Sequence, residues 1–196
     1  MVRMKELNLE IAVEKIIKLN SGIGAFWSNA SGWAPDGATA LMSKSRLDRQ
    51  VSLSECLNIW ISDKTVKHED GALILAWANL GSLIEGTLKL FLAAYYVDYQ
   101  KDIEAFNDKK GKLVDPDALS LEKLRVFFNK KELWSNKWND FVLKVQQYRN
   151  AIHAFKDKEI GTFKEFEECV KTYLLLVREI NSSLPYPDDV YVPSEV

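Results

Sequence analysis

The stretch from Glu69 to Gln100 constrains the fold more than any other, because its apolar residues repeat with the period of an α-helix. The spacing keeps one apolar face along a helix of about 35 Å at roughly 1.5 Å per residue. Further apolar residues lie on its other sides, so we expect this helix at the centre of a helical bundle. The repeat consists of Leu73, Trp77, Leu80, Ile84, Leu88, Phe91 and Tyr95.

The same region, from Gly71 to Val97, is long enough to cross a lipid bilayer. Glu85 and Lys89 lie in its middle, and each charge at a bilayer centre would cost about 2.5–3.5 kcal/mol. The sequence therefore predicts a buried helix and no membrane partner. The first residues carry charges at short intervals and no apolar run, which is unlike a signal peptide. The two cysteines are isolated in sequence, which fits a reducing cytoplasm.

Composition excludes several classes of function. The chain is 47% hydrophobic and 28% charged with a net charge of −2, which is typical of a soluble globular protein without a general attraction to nucleic acid. Cys56 and Cys169 are far apart, so a disulfide framework or a structural zinc site is not expected. His68 and His153 are also isolated, and nucleotide-binding and hydrolase motifs are absent, so we predict neither a metal nor a cofactor.

The rest of the chain also favours helices. The first helix is expected to end at Ser21–Gly24, and residues 21–45 are predicted to be irregular, with Trp27 and Trp33 folded back over a core edge. The second helix, over residues 43–61, is expected to break near Val51–Ser52.

Since no stretch alternates like a strand, the sequence predicts an all-α fold, an antiparallel bundle of four or more helices. The further amphipathic stretches are residues 5–19, 43–61, 121–128, 137–155 and 162–182.

These elements suggest three parts. Residues 1–68 are predicted to be a helical extension packed on the bundle, and residues 69–183 the bundle itself. Residues 184–196 contain three prolines, which cannot continue a helix, so we expect an extended arm on the surface or on a partner.

The segment from Tyr148 to Phe155 concentrates the candidate functional residues. On a continuous helix Arg149 and His153 would stack on one side, at the shoulder of the buried face, while Asn150 would point away. Such a pair could line a groove or a subunit interface. Alternatively, both could simply favour the negative end of the helix dipole, with Arg149 paired to Glu85 or Asp140.

The run Arg149–His153 (RNAIH), at the end of a bundle helix, resembles the motif of the HEPN superfamily. The segment Leu83–Lys89 (LIEGTLK) is similar to a stretch common in the same domains, and the likeness covers residues 69–182. The usual active pattern has four to six residues between the arginine and the histidine, whereas three intervene here.

The resemblance implies a helical bundle acting as a metal-independent endoribonuclease, typical of toxins and anti-phage defence effectors, with two motifs facing each other across a homodimer. It implies that His153 acts as general base or acid, that Arg149 holds the scissile phosphate, and that Asn150 orients the site. An antitoxin or defence protein is then an expected partner. The alternative is a non-catalytic bundle of the same type that binds a protein partner, with the Arg–His pair structural.

Local charge is compatible with RNA binding but does not decide it. Residues 137–164 hold six basic and three acidic side chains. From this surplus we predict RNA contacts by Lys144, Lys156 and Lys158.

Overall fold

The computed structural model describes residues 7–62, 69–153, 157–189 and 192–195. Within these ranges the chain is mostly helical and forms no β-strand, so the predicted all-α class is confirmed. A single apolar core contains residues from both the N-terminal helices and the later ones. The helices are α1 (Leu9–Trp27), α2 (Asp36–Lys44), α3 (Leu47–Glu55), α4 (Leu57–Ser62), α5 (Glu69–Ala94), α6 (Tyr96–Lys101), α7 (Leu121–Lys130), α8 (Asn136–Arg149) and α9 (Phe163–Ser182).

Helix α5 lies at the centre, as its apolar repeat predicts. It packs against α2, α3, α4, α7, α8 and α9, and Trp77, Leu80 and Ile84 are completely buried. By length and composition alone, α5 could also span a membrane. Within the described chain most of its apolar surface is covered by the neighbouring helices.

The prediction that the first helix ends at Ser21–Gly24 is wrong, because α1 continues to Trp27. Its glycines serve close packing instead of termination. Gly22 faces the C-terminal arm, where an added Cβ would lie 3.0 Å from the Cβ of Pro193. At the start of α1 the side chain of Asn8 accepts hydrogen bonds from two backbone amides, which is the usual N-cap arrangement.

Residues 21–45 are more regular than predicted, since they include the end of α1 and all of α2. The expectation for the tryptophans holds. Trp27 is 1% exposed and Trp33 is 40% exposed, and their rings lie 5.2 Å apart at the edge of the core. The predicted helix over 43–61 is divided at Cys56, between α3 and α4, and not at Val51–Ser52.

The C-terminal arm lies on its own bundle, between α1 and α9. The amide of Asn181 donates a hydrogen bond of 2.9 Å to the carbonyl of Pro193. Glu195 forms ion pairs with Arg178 of α9 and with Lys15 of α1. These contacts fix the described part of the arm on the surface.

Candidate functional site

Helix α8 ends at Arg149, six residues before the predicted end at Phe155. The chain then forms a 3₁₀ turn over Asn150–Ile152, closed by a hydrogen bond of 3.4 Å from His153 N to Asn150 O. The prediction that Arg149 and His153 stack on one face of a continuous helix is therefore wrong. Arg149 is the last residue of α8, whereas His153 follows the 3₁₀ turn.

Arg149 belongs to a group of three charges, which we call the ion trio. Its Nη1 lies 2.6 Å from Glu85 Oε2, and Lys89 Nζ lies 2.8 Å from the other oxygen of the same carboxylate. Burial alone would raise the pKa of Glu85, but the hydrogen bonds from Lys89 and Arg149 outweigh this effect and lower the pKa below its ordinary value. Of the two partners that the sequence allowed for Arg149, the structure selects Glu85.

Gly81 makes this contact possible. The aliphatic part of Arg149 crosses α5 directly above Gly81, and an added Cβ there would lie 2.5 Å from Arg149 Cδ. Glu85 lies one helical turn further along α5, at the position where the guanidinium ends. The sequence of α5 thus provides both the space for the arginine and the carboxylate that holds it.

His153 and Asn150 are more accessible than a purely structural pair would be. His153 is exposed, and its imidazole has no hydrogen bond or ion pair with any residue in the described ranges. Asn150 is half-buried, and Ile152 between them is 45% exposed. The imidazole is therefore accessible to a bound molecule.

The two predicted RNA-contacting lysines that the structure describes, Lys144 and Lys158, have acidic neighbours. Lys144 lies 2.9 Å from Glu165, a contact that raises the pKa of Lys144 and joins α8 to α9. Lys158 lines an open cleft among four carboxylates, those of Asp70, Asp157, Glu159 and Glu165. Lys156 lies outside the described residues.

A second group of cations, absent from the sequence-based prediction, lies on the other side of the ion trio. We call it the basic pocket: Lys44, Arg46, Arg49 and Lys89 line an open cavity of about 460 Å³ between α2, α3 and α5. The available signal was the segment KSRLDR over residues 44–49, with three basic residues around one acid. The charge balance of residues 137–164 gives no indication of this group, because residues 44–49 are distant from that segment in sequence.

Other groups offer little chemistry. Burial raises the pKa of Cys169 to about 11, so its thiol stays protonated and unreactive. In the described part of the chain no three histidine, cysteine or acidic residues come together as a metal site would require. A further cavity of about 310 Å³, between α5, α6 and α7, is lined by aromatic rings such as those of Phe91 and Phe127 and by the charged side chains of Asp98, Asp102 and Lys131.

Comparison of the chain with models of known protein families, with curated proteins and with solved structures yields no match. The function must therefore be inferred from the site itself.

Proposed function

We propose that the protein is a metal-independent endoribonuclease, a HEPN-like helical bundle that acts as a homodimer. The observation that carries this proposal is the pairing of an anchored arginine with an unpartnered imidazole. Arg149 is held at the surface by Glu85, and four residues later the exposed His153 has no partner among the described residues.

This pair supplies the groups that cleavage of RNA requires. His153 takes the proton of the ribose 2′-hydroxyl, or gives one to the leaving oxygen. Arg149 bonds Glu85 through Nη1, so its other N–H groups are oriented and remain available for a phosphate oxygen that gains charge. Asn150 orients the site. Attack of the 2′-oxygen on phosphorus breaks the bond to the 5′-oxygen, which leaves as a protonated hydroxyl, and yields a 2′,3′-cyclic phosphate.

The HEPN resemblance rests on two separate stretches of sequence, residues 83–89 and 149–153. In the structure the two stretches are in contact through the ion pair between Glu85 and Arg149. A chance match of a short motif gives no reason for such a contact, so it supports the proposal.

The proposed dimer brings two copies of the motif together. Leu75 of α5 is 51% exposed and Ile152 is 45% exposed, and the elements that carry them are in contact. Apolar side chains beside the motif favour association at this end of the bundle.

We expect light scattering to give twice the 22.4 kDa mass of one chain, and a monomer at micromolar concentration would contradict the composite site. A toxin or defence effector of this type would work in the cytoplasm, where an antitoxin or defence partner controls it.

The test is cleavage of single-stranded RNA in the presence of EDTA. We expect His153→Ala and Arg149→Ala to abolish cleavage, and Arg149→Lys not to restore it, because an ammonium lacks the forked geometry of a guanidinium. Arg125→Ala is the matched control, since Arg125 also holds a carboxylate, that of Glu122, but on α7. Equal loss of cleavage in Arg125→Ala would show that the assay reports stability alone. A wild-type protein that is inactive on every RNA tested would refute the proposal.

A second candidate function is a non-catalytic bundle that binds a protein partner. The observation in its favour is the same ion trio, since Arg149 over Gly81 also joins α8 to α5. On this reading wild type does not cleave RNA, His153→Ala has no effect on stability, and Arg149→Ala lowers the free energy of unfolding by about 1–3 kcal/mol. The loss stays moderate because Glu85 keeps its contact with Lys89. Melting curves recorded beside the cleavage assay separate the two functions.

A further inference from the structure

We propose that the basic pocket binds the sugar–phosphate backbone of single-stranded RNA and guides it to Arg149 and His153. This inference rests on the proposed function and deepens it, because it gives the substrate a path across the protein. It also assigns a task to the N-terminal helices, for which the HEPN resemblance provides no counterpart.

The charges of the basic pocket suit an anion. Lys44 and Arg49 have no ion pair or hydrogen bond from their side chains to any described residue, so both cations are free. Arg46 is fixed by Asp48, with Nη2 at 2.6 Å from a carboxylate oxygen, and Lys89 is fixed by Glu85. The acidic group that lines the cavity is Asp117. This contrasts with the cleft around Lys158, where four carboxylates surround one lysine.

Lys89 connects the basic pocket to the ion trio. Lys89 lines the pocket, and its ammonium contacts one oxygen of Glu85 while Arg149 contacts the other. Two cations that share one carboxylate are close enough to receive neighbouring phosphates of one strand. A phosphate at Arg149 therefore places the next part of the strand at the entrance of the pocket.

The floor of the pocket also suits a nucleotide. Leu41, Leu90 and Ala93 provide apolar surface below the cations, which can contact a ribose or the face of a base. The amide of Gln50 lies against Gly86 and donates a hydrogen bond of 2.8 Å to the carbonyl of Leu83, which holds this wall in place. Cations that contact the phosphates and not the base edges bind a strand without reading its sequence.

The experiment measures binding of a fluorescein-labelled 20-nucleotide single-stranded RNA by anisotropy, with His153→Ala in every protein to prevent cleavage. We expect Lys44→Ala/Arg49→Ala to weaken binding at least about tenfold and to reduce the slope of log K against log salt by about 1.4, or 0.7 for each lost contact. The matched control is Lys109→Ala/Lys164→Ala, which removes the same charge from two other exposed, unpaired lysines. It should bind like the parent protein.

The outcomes separate this inference from the proposed function. If the parent protein cleaves RNA but loss of Lys44 and Arg49 changes affinity no more than the control does, the path is wrong and the nuclease stands. If wild type never cleaves, yet affinity still depends on Lys44 and Arg49, the nuclease is wrong and the RNA-binding pocket stands. Unchanged melting temperatures in both double variants are required for either conclusion.

Discussion

Two glycines of α5 allow polar side chains from two different neighbours to cross the helix. On one side Gly86 leaves room for Gln50 of α3, whose amide an added Cβ would overlap. On the other side Gly81 leaves room for Arg149 of α8. In both places a glycine of α5 makes room for the side chain. The hydrogen-bonding partners of the two side chains differ in charge and in burial.

The Gly86 side is a neutral, buried network. Gln50 bonds the carbonyl of Leu83 at 2.8 Å, and the hydroxyl of Tyr173 lies 3.0 Å from Thr87 Oγ1. Asn20 joins the same hydroxyl to α1 and donates a bond of 2.7 Å to Ser54. Burial raises the pKa of Tyr173 to about 12, so this network stays neutral over the whole physiological range.

The Gly81 side is charged and remains in contact with water. Arg149, Glu85 and Lys89 keep 29%, 20% and 27% of their side-chain surface exposed. Charges persist there because solvent offsets much of the cost of bringing them together. The neutral network, whose polar groups all have hydrogen-bond partners, fixes how α1, α3, α5 and α9 pack. The exposed ion trio, in contrast, retains hydrogen-bond donors that a ligand can use.

The largest effect on stability is expected when the neutral network is broken. Tyr173→Phe removes a hydroxyl that joins α1, α5 and α9 and with it several buried hydrogen bonds, so the free energy of unfolding should fall by about 1–3 kcal/mol. Denaturant unfolding measures this loss, while the rate of RNA cleavage below the transition should be unchanged. Tyr148→Phe is the control, because its hydroxyl is partly exposed and 3.4 Å from Glu165. An equal loss in both variants would contradict the structural role given to the network.

The sequence predicted the helices with a long apolar repeat, such as α5 and α9, because their pattern alone determines which side is buried. It failed at helix ends. Gly22 and Gly24 look like a stop in sequence, but the arm and α3 pack against them. The apolar stripe continues through Ile152, so nothing in the pattern marks the change to a 3₁₀ turn after Arg149.

The same limit applies to the candidate site. Sequence could identify Arg149 and name Glu85 and Asp140 as possible partners, but the choice depends on how α8 crosses α5 above Gly81. It could not show that Lys144 is bound to Glu165, or that residues 44–49 approach Lys89. Both facts depend on contacts between residues distant in sequence.

The next effect concerns pH and distinguishes the charged side from the neutral one. Because the folded-state pKa of Glu85 is lowered, its contribution to stability is complete above the unfolded-state pKa of about 4.3 and is lost as pH falls through the folded-state value. Glu85→Gln should therefore cost about 1 kcal/mol at pH 7 and should make unfolding less sensitive to pH below about 5. Tyr173→Phe should leave that sensitivity unchanged. If Glu85→Gln and wild type lose stability in parallel on acidification, the carboxylate is not held as described.

The smallest effect on stability, and the sharpest on function, is expected for Gly81→Ala. Alanine in a helix interior is favoured over glycine by about 1 kcal/mol, which offsets the displacement of the Arg149 side chain. That side chain is partly exposed and can turn into water, while Glu85 keeps Lys89, so the free energy of unfolding should change by less than about 1 kcal/mol. Cleavage of RNA should nevertheless fall as far as in Arg149→Ala, because the guanidinium is no longer held by Glu85. Gly71→Ala is the matched control: it makes the same substitution on α5 at a position where an added Cβ meets no atom within 4 Å, so it should leave cleavage intact. Full cleavage by Gly81→Ala, measured beside its melting curve, would show that the position of Arg149 over α5 is unrelated to function.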